Sequence, residues 1–177
     1  MTVASPDVID ELAALDAEQS AALRGHRPDV IATAQASYDA LLPADLSADP
    51  VPGLDLPTRL LIAARAAQLE QFPTAVAHYA ARLADHPELV TLAVDGPNSL
   101  AGRDASRRHR AILRQVELLV IRPAATTSSD LGALGAAGLD EAQIVVASQV
   151  AAFVSFQVRV AHGLIVLKST LSTEVSA

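Results

Sequence analysis

Residues 144–167 read IVVASQVAAFVSFQVRVAHGLIVL, a run in which almost nothing breaks a helix. Asp140 with Gln143 three positions on resembles a capping box, so the helix is expected to open there and to run to about Lys168. The run is long and apolar enough to span a bilayer. Ser148, Gln149, Ser155, Gln157, Arg159 and His162 interrupt it, however, and a charge near the centre of a span costs roughly 3 kcal/mol. A helix buried nearly all round accounts for the pattern better, and that makes it the central helix of a domain or of an oligomer. No membrane is expected.

Working outward, Thr127 and Asp130 resemble a second capping box, for a short helix ended by Gly135 and Gly138. Before it, Asp104 or Ser106 can cap a helix carrying Ile112, Val116, Leu119 and Val120, stopped by Pro123. Asp95, Gly96, Pro97 and Asn98 form a turn. Further upstream, Pro57 opens a helix through Leu60, Leu61, Ala64 and Ala67 to about Glu70, and Pro73 opens another to about Asp85. These two look like a helical hairpin. The second has an apolar stripe of Val76, Tyr79 and Leu83, with Gln71, Thr74, His78, Arg82 and Asp85 on its other side.

Between Leu42 and Pro57 the prolines 43, 50, 52 and 57 alternate with Asp45, Asp49 and Asp55, which reads as an extended connector. The N-terminal part holds a helix capped by Ser5, with Pro6 at its first position and Val8, Leu12, Leu15 and Leu23 on one face. A second helix starts at Pro28 with Ile31, Ala34, Tyr38 and Leu41 inward. The expected fold is therefore an all-α bundle of six or seven helices in a single domain. It comprises a helical arm over residues 1–42, a proline-rich connector over 43–56 and a core over 57–170.

Composition agrees. Of the 177 residues 51% are hydrophobic but only 3% aromatic, so small aliphatic side chains must build the core, which favours closely packed helices. The net charge of −7 argues against nucleic acid as a partner. No secretory signal is visible near the start, and a cytoplasmic protein is expected. Cysteine is absent, which rules out thiol redox chemistry by the chain's own residues.

The passage from Leu56 to Ala63, LPTRLLIA, followed by a hairpin helix bearing His78 and Tyr79, resembles the core of the AhpD-like, or carboxymuconolactone decarboxylase-like, superfamily. The stretch 136–164, AAGLDEAQIVVASQVAAFVSFQVRVAHGL, resembles the closing helices of its peroxidase-related branch. The resemblance implies an oligomeric helical protein and, in members with peroxidase activity, a Glu, a Cys-x-x-Cys pair and a His along two helices. This chain departs from that pattern. Leu60 stands about where the Glu belongs, and the cysteine positions fall near Gln71 or Phe72 and Thr74 or Ala75. His78 alone remains, and a proton relay without a nucleophile performs no peroxidatic cycle.

Several residue sets can carry function. His78 is the candidate catalytic group, as a general base, or else a solvated histidine. Arg59 or Arg82 could join it in holding a carboxylate substrate, as in a cofactor-independent decarboxylase or isomerase. Thr74 and Tyr79 lie on the same helix. Glu141, Ser148, Ser155 and His162 recur every seven residues with Arg159 beside them, a stripe suited to a pocket, to the solvent strip of a buried helix or to a hydrogen-bonded seam between subunits. Arg103, Arg107, Arg108, His109, Arg110 and Arg114 form a basic cluster that could take an anionic ligand or phosphate, remain a solvated face, or pair with acidic surface on another subunit. No metal site and no cofactor is expected. The leading expectation is a non-redox homo-oligomer that binds a small molecule or another protein. The alternatives are the His78 enzyme and a structural partner subunit of a neighbouring enzyme.

Overall fold

The structure is a computed structural model that describes residues 7–43 and 51–174. Ser5 and Pro6, expected to open the first helix, lie outside the described residues, as do Asp45, Asp49 and Pro50 of the connector. Among the described residues there are ten α-helices and no strand. They are α1 (Val8–Leu12), α2 (Ala17–Arg24), α3 (Pro28–Leu41), α4 (Leu56–Leu69), α5 (Pro73–Ala81), α6 (Pro87–Asp95), α7 (Leu100–Asp104), α8 (Arg107–Ile121), α9 (Ser128–Ala136) and α10 (Glu141–Glu174). A 3-10 turn at Pro123–Ala125 links α8 to α9.

The all-α expectation holds, but ten helices replace six or seven. The single N-terminal helix is two, because Ala14 takes a left-handed φ of 51° and Asp16 starts α2 with a capping box to Gln19. Asp7 caps α1, accepting from the amides of Ile9 and Asp10. Arg24 ties the two helices together by pairing with both Asp7 and Asp10. Two further helices, α6 and α7, lie where the sequence showed only a turn. Pro87 opens α6, Gly96 closes it at φ 84°, and Ser99 caps α7 by accepting from the Gly102 amide. Helix α5 stops at Ala81, short of Asp85.

Where capping signals are strong, the sequence reading is met. Pro28 opens α3, Ser106 caps α8, the Thr127–Asp130 box opens α9 and the Asp140–Gln143 box opens α10.

The expectation that the C-terminal helix is buried nearly all round is corrected, although that helix does pack on α1, α2, α3, α4, α8 and α9. Helix α4 is central: every residue from 58 to 67 is buried, and α5, α6, α8 and α10 all pack on it. The cause is side-chain size. Ala63, Ala64, Ala66 and Ala67 let neighbours approach from all sides, while Leu60, Leu61 and Ile62 fill the gaps.

Helix α10 is instead buried along one side. Val150, Val154, Val158 and Ala161 face the core, whereas Val145, Phe156, Val166 and Leu167 are 54%, 42%, 61% and 51% exposed. By length and composition Glu141–Thr170 could cross a membrane, yet its inner side packs on α1, α4 and α8. Near its end Lys168 donates to the Ala14 carbonyl at 2.6 Å, holding the left-handed turn between α1 and α2.

Candidate functional site

The core helices bring His78 into a directed chain of polar groups. On α5, His78 Nδ1 lies 2.9 Å from Glu11 Oε1 of α1, and Nε2 lies 2.7 Å from the Tyr38 hydroxyl of α3. Arg82, one turn beyond His78, donates to the same hydroxyl at 2.8 Å and to the carbonyls of Leu42 and Pro43 at 2.9 and 3.2 Å. Glu11 can only accept when ionised and Arg82 can only donate, so for a neutral His78 ring the remaining directions follow. Arg82 donates to Tyr38, Tyr38 to His78 Nε2, and His78 Nδ1–H to Glu11. Burial pushes the Tyr38 hydroxyl above its ordinary range, against the pull of the Arg82 charge.

Both ring nitrogens of His78 are thus engaged within the protein. A general base needs a lone pair aimed at a substrate proton, and here Tyr38 holds it. Chemically the arrangement clasps the N-terminal arm onto the α4–α5 hairpin.

The other candidates do not join it. Arg59 is 2% exposed and donates from Nε to the Leu54 carbonyl at 2.9 Å and from Nη1 to that of Leu41 at 3.2 Å, so it anchors the connector. Thr74 is exposed. Tyr79 is fully buried and donates to Gln157 Oε1 of α10 at 2.5 Å. Of the seven-residue stripe on α10, Ser148 and Ser155, with Arg159, line a groove of about 680 Å3 against Leu119, Val120 and Pro123. His162 is elsewhere, edge-on to Phe72 at 4.5 Å. Arg159 pairs with Glu70 at 3.2 Å. Among the described residues no three His, Asp or Glu side chains converge as a metal site.

The basic cluster divides into two classes. Arg108 is structural: it donates to the carbonyls of Gly138 and Gly53 at 2.6 and 2.7 Å and to Gln143 Oε1 at 2.8 Å, while Gln143 donates to the Pro52 carbonyl at 2.9 Å. This clasp joins the connector, the α9–α10 turn and the start of α10. Arg110 caps the end of α7 through the carbonyls of Arg103 and Ala105. Arg107 and Arg114 are exposed and have no partner among the described residues. Both line a groove of about 1010 Å3 between α8 and α9 that also takes in Arg110, Gln115 and Arg122.

His109 belongs to neither class. Its Nε2 lies 3.3 Å from the Thr58 hydroxyl, and burial lowers its pKa, with Asp55 and Glu88 opposing and Arg108 assisting. A histidine whose folded pKa is depressed binds fewer protons folded than unfolded in the interval between the two values. Stability is therefore complete above the unfolded value of about 6.5 and declines as pH falls through the lower folded one. Urea midpoints measured from pH 7 to pH 5 should fall, and His109→Asn should flatten the fall. An equal slope in that variant would assign the loss to other groups.

Sequence reasoning missed Glu11 and Tyr38, which lie 67 and 40 residues from His78 along the chain. It also missed Gln115 and Arg122. For Arg122 a signal existed in the extension of the arginine face of α8 by two turns beyond Arg114. No family model matches the chain, and no curated protein or solved structure does either.

Proposed function

We propose that the protein is a non-redox, self-associating binding protein, a cysteine-free relation of the AhpD-like family that holds a small molecule in the α8–α9 groove. The observation that carries this is where open space and unsatisfied charge coincide. His78 is enclosed by Glu11 and Tyr38, whereas the groove presents Arg107 and Arg114, which have no partner among the described residues. Support for the family frame comes from the α4–α5 hairpin with His78 on its second helix, packed against the long terminal helix.

Binding is tested by NMR of the full chain against pooled fractions of a metabolite extract. Saturable shifts at backbone amides of α8 and α9 support it, and His78→Ala should leave them unchanged. Shifts confined to the surroundings of His78, abolished by that substitution, would favour the decarboxylase reading, in which Tyr38 must release His78 for catalysis. Reduction of peroxide with a dithiol donor above a protein-free blank would overturn the non-redox assignment.

Self-association rests on α10. Val145, Ala152, Phe156 and Val166 form an exposed apolar stripe at heptad-like spacing, suited to pairing with a second copy of the same helix. Gln149 and Arg159 within the stripe suit a protein partner better than lipid. Sedimentation velocity over a concentration series should show an oligomer that Phe156→Glu dissociates. A monomer at every concentration, or partition of the wild-type chain into neutral lipid vesicles, would overturn this part.

A further inference from the structure

The residues lining the α8–α9 groove narrow the chemical class of its ligand. Arg107, Arg110 and Arg114 succeed one another at spacings of three and four, so they share one face of α8. Like charges at that spacing repel, and Arg107 and Arg114 have no carboxylate partner among the described residues, although the chain as a whole carries a net charge of −7. Farther along the same face come Leu118 and Ile121, the latter 55% exposed, and across from them Ala133 and Ala136 of α9. The groove thus has a cationic stretch at Arg107, Arg110 and Arg114 that continues into an apolar trough, with Arg122 beyond Ile121 at its far end.

A second, independent observation concerns Gln115. Its residue is 5% exposed and it lines the groove, yet Oε1 is buried without a hydrogen-bond partner. An unmatched amide oxygen at that depth carries its desolvation cost until a donor arrives. The two acids of the groove do not oppose an anion at the Arg107 end. Glu117 is held by Arg65, and the Asp130 carboxylate is engaged in capping α9, accepting from the Thr127 amide at 2.8 Å and from its hydroxyl at 2.7 Å.

We propose that the groove takes an amphipathic oxyanion: a carboxylate or phosphate head on Arg107 and Arg114, an apolar body along Leu118, Ile121 and Ala133, and a hydroxyl or N–H near the head that donates to Gln115. This rests on the reading of the α8–α9 groove as the ligand site. Arginine suits the head because its planar fork meets two oxygens at once. The apolar trough excludes a bare inorganic ion as the preferred occupant, because such an ion leaves that surface in water.

The test is calorimetry and NMR on the full chain with sodium decanoate, 3-hydroxydecanoate, decan-1-ol, decyltrimethylammonium and inorganic phosphate as probes. Decanoate should bind saturably and shift amides of α8 and α9, with decanol, the cation and phosphate each weaker by about tenfold or more. The hydroxy acid should bind more tightly than decanoate, and Gln115→Leu should erase that difference. Arg114→Glu should weaken decanoate by about tenfold without lowering the melting temperature, since Arg114 is exposed and has no hydrogen bond or ion pair to lose among the described residues. Equal binding of decanol or the cation at the same amides would overturn the oxyanion class while leaving the groove as a binding site. Decanoate binding that shifts other helices and ignores Arg114→Glu would overturn both. No binding at millimolar decanoate would overturn the oxyanion class, and the extract experiment would then judge the groove by itself.

Discussion

Replacing Arg65 by methionine will destabilise the protein by about 3–5 kcal/mol. Arg65 rises from the buried helix α4 and is only 11% exposed in its side chain. Its Nη1 donates to the Ala93 and Val94 carbonyls at 3.1 and 2.9 Å, satisfying the end of α6, and its Nη2 pairs with Glu117 of α8. Methionine fills much of the same volume but leaves two carbonyls and a half-buried carboxylate without a donor. Gly96 passes directly over the guanidinium: a Cβ there would lie 2.5 Å from Nη2. The variant therefore loosens α6 and α8 from α4 together. The measurement is the urea midpoint at unchanged slope. Pairing the substitution with Glu117→Leu should recover part of the loss, because it removes the stranded charge. A single-variant loss below about 1 kcal/mol would show that the ion pair organises nothing, by comparison with an exposed pair.

The second large effect is at Tyr79. Tyr79→Ala should cost about 3–5 kcal/mol, the range for emptying a buried aromatic site, and Tyr79→Phe about 1–3 kcal/mol, the range for stranding a buried polar partner. The side chain is fully buried between α5 and α10, and burial holds its hydroxyl far above the ordinary tyrosine range. Gln157, also 0% exposed, accepts from that hydroxyl while its own Nε2 has no partner. Removing the hydroxyl alone leaves both ends of the Gln157 amide unmatched. Denaturation of both variants separates the hydrogen bond from the packing. If the phenylalanine variant matched the wild type, Gln157 would have to be satisfied some other way.

What could be read from the residues depended on how local the cause was. Capping boxes at Thr127 and Asp140, and the prolines at 28, 57 and 73, act within one turn, and each marks a helix start that the structure contains. The split between α1 and α2 was hidden because alanine at position 14 offers no sign of a left-handed turn. Helices α6 and α7 were hidden because their signals lie next to a turn cluster that masks them. The burial of α10 was misjudged for a different reason. Hydrophobicity marks what can be buried, while small side chains decide what can be surrounded, and α4 has more of them in succession than α10.

The site divides the same way. Arg107 and Arg114 were legible as a face of one helix. The enclosure of His78 was not, because its partners come from α1 and α3 across a proline-rich connector. Nor could spacing show that Arg59 and Arg108 serve carbonyls, since backbone acceptors leave no trace in a residue pattern.

Lys168 is the chain's one lysine, and its ammonium holds the turn between the first two helices. Amine acylation of the folded protein therefore has a single side-chain target, and that target is occupied while the arm is seated. The rate of modification at this position, followed by mass spectrometry, becomes a clock for detachment of α1 and α2 from the tip of α10, read without introducing any probe into the sequence.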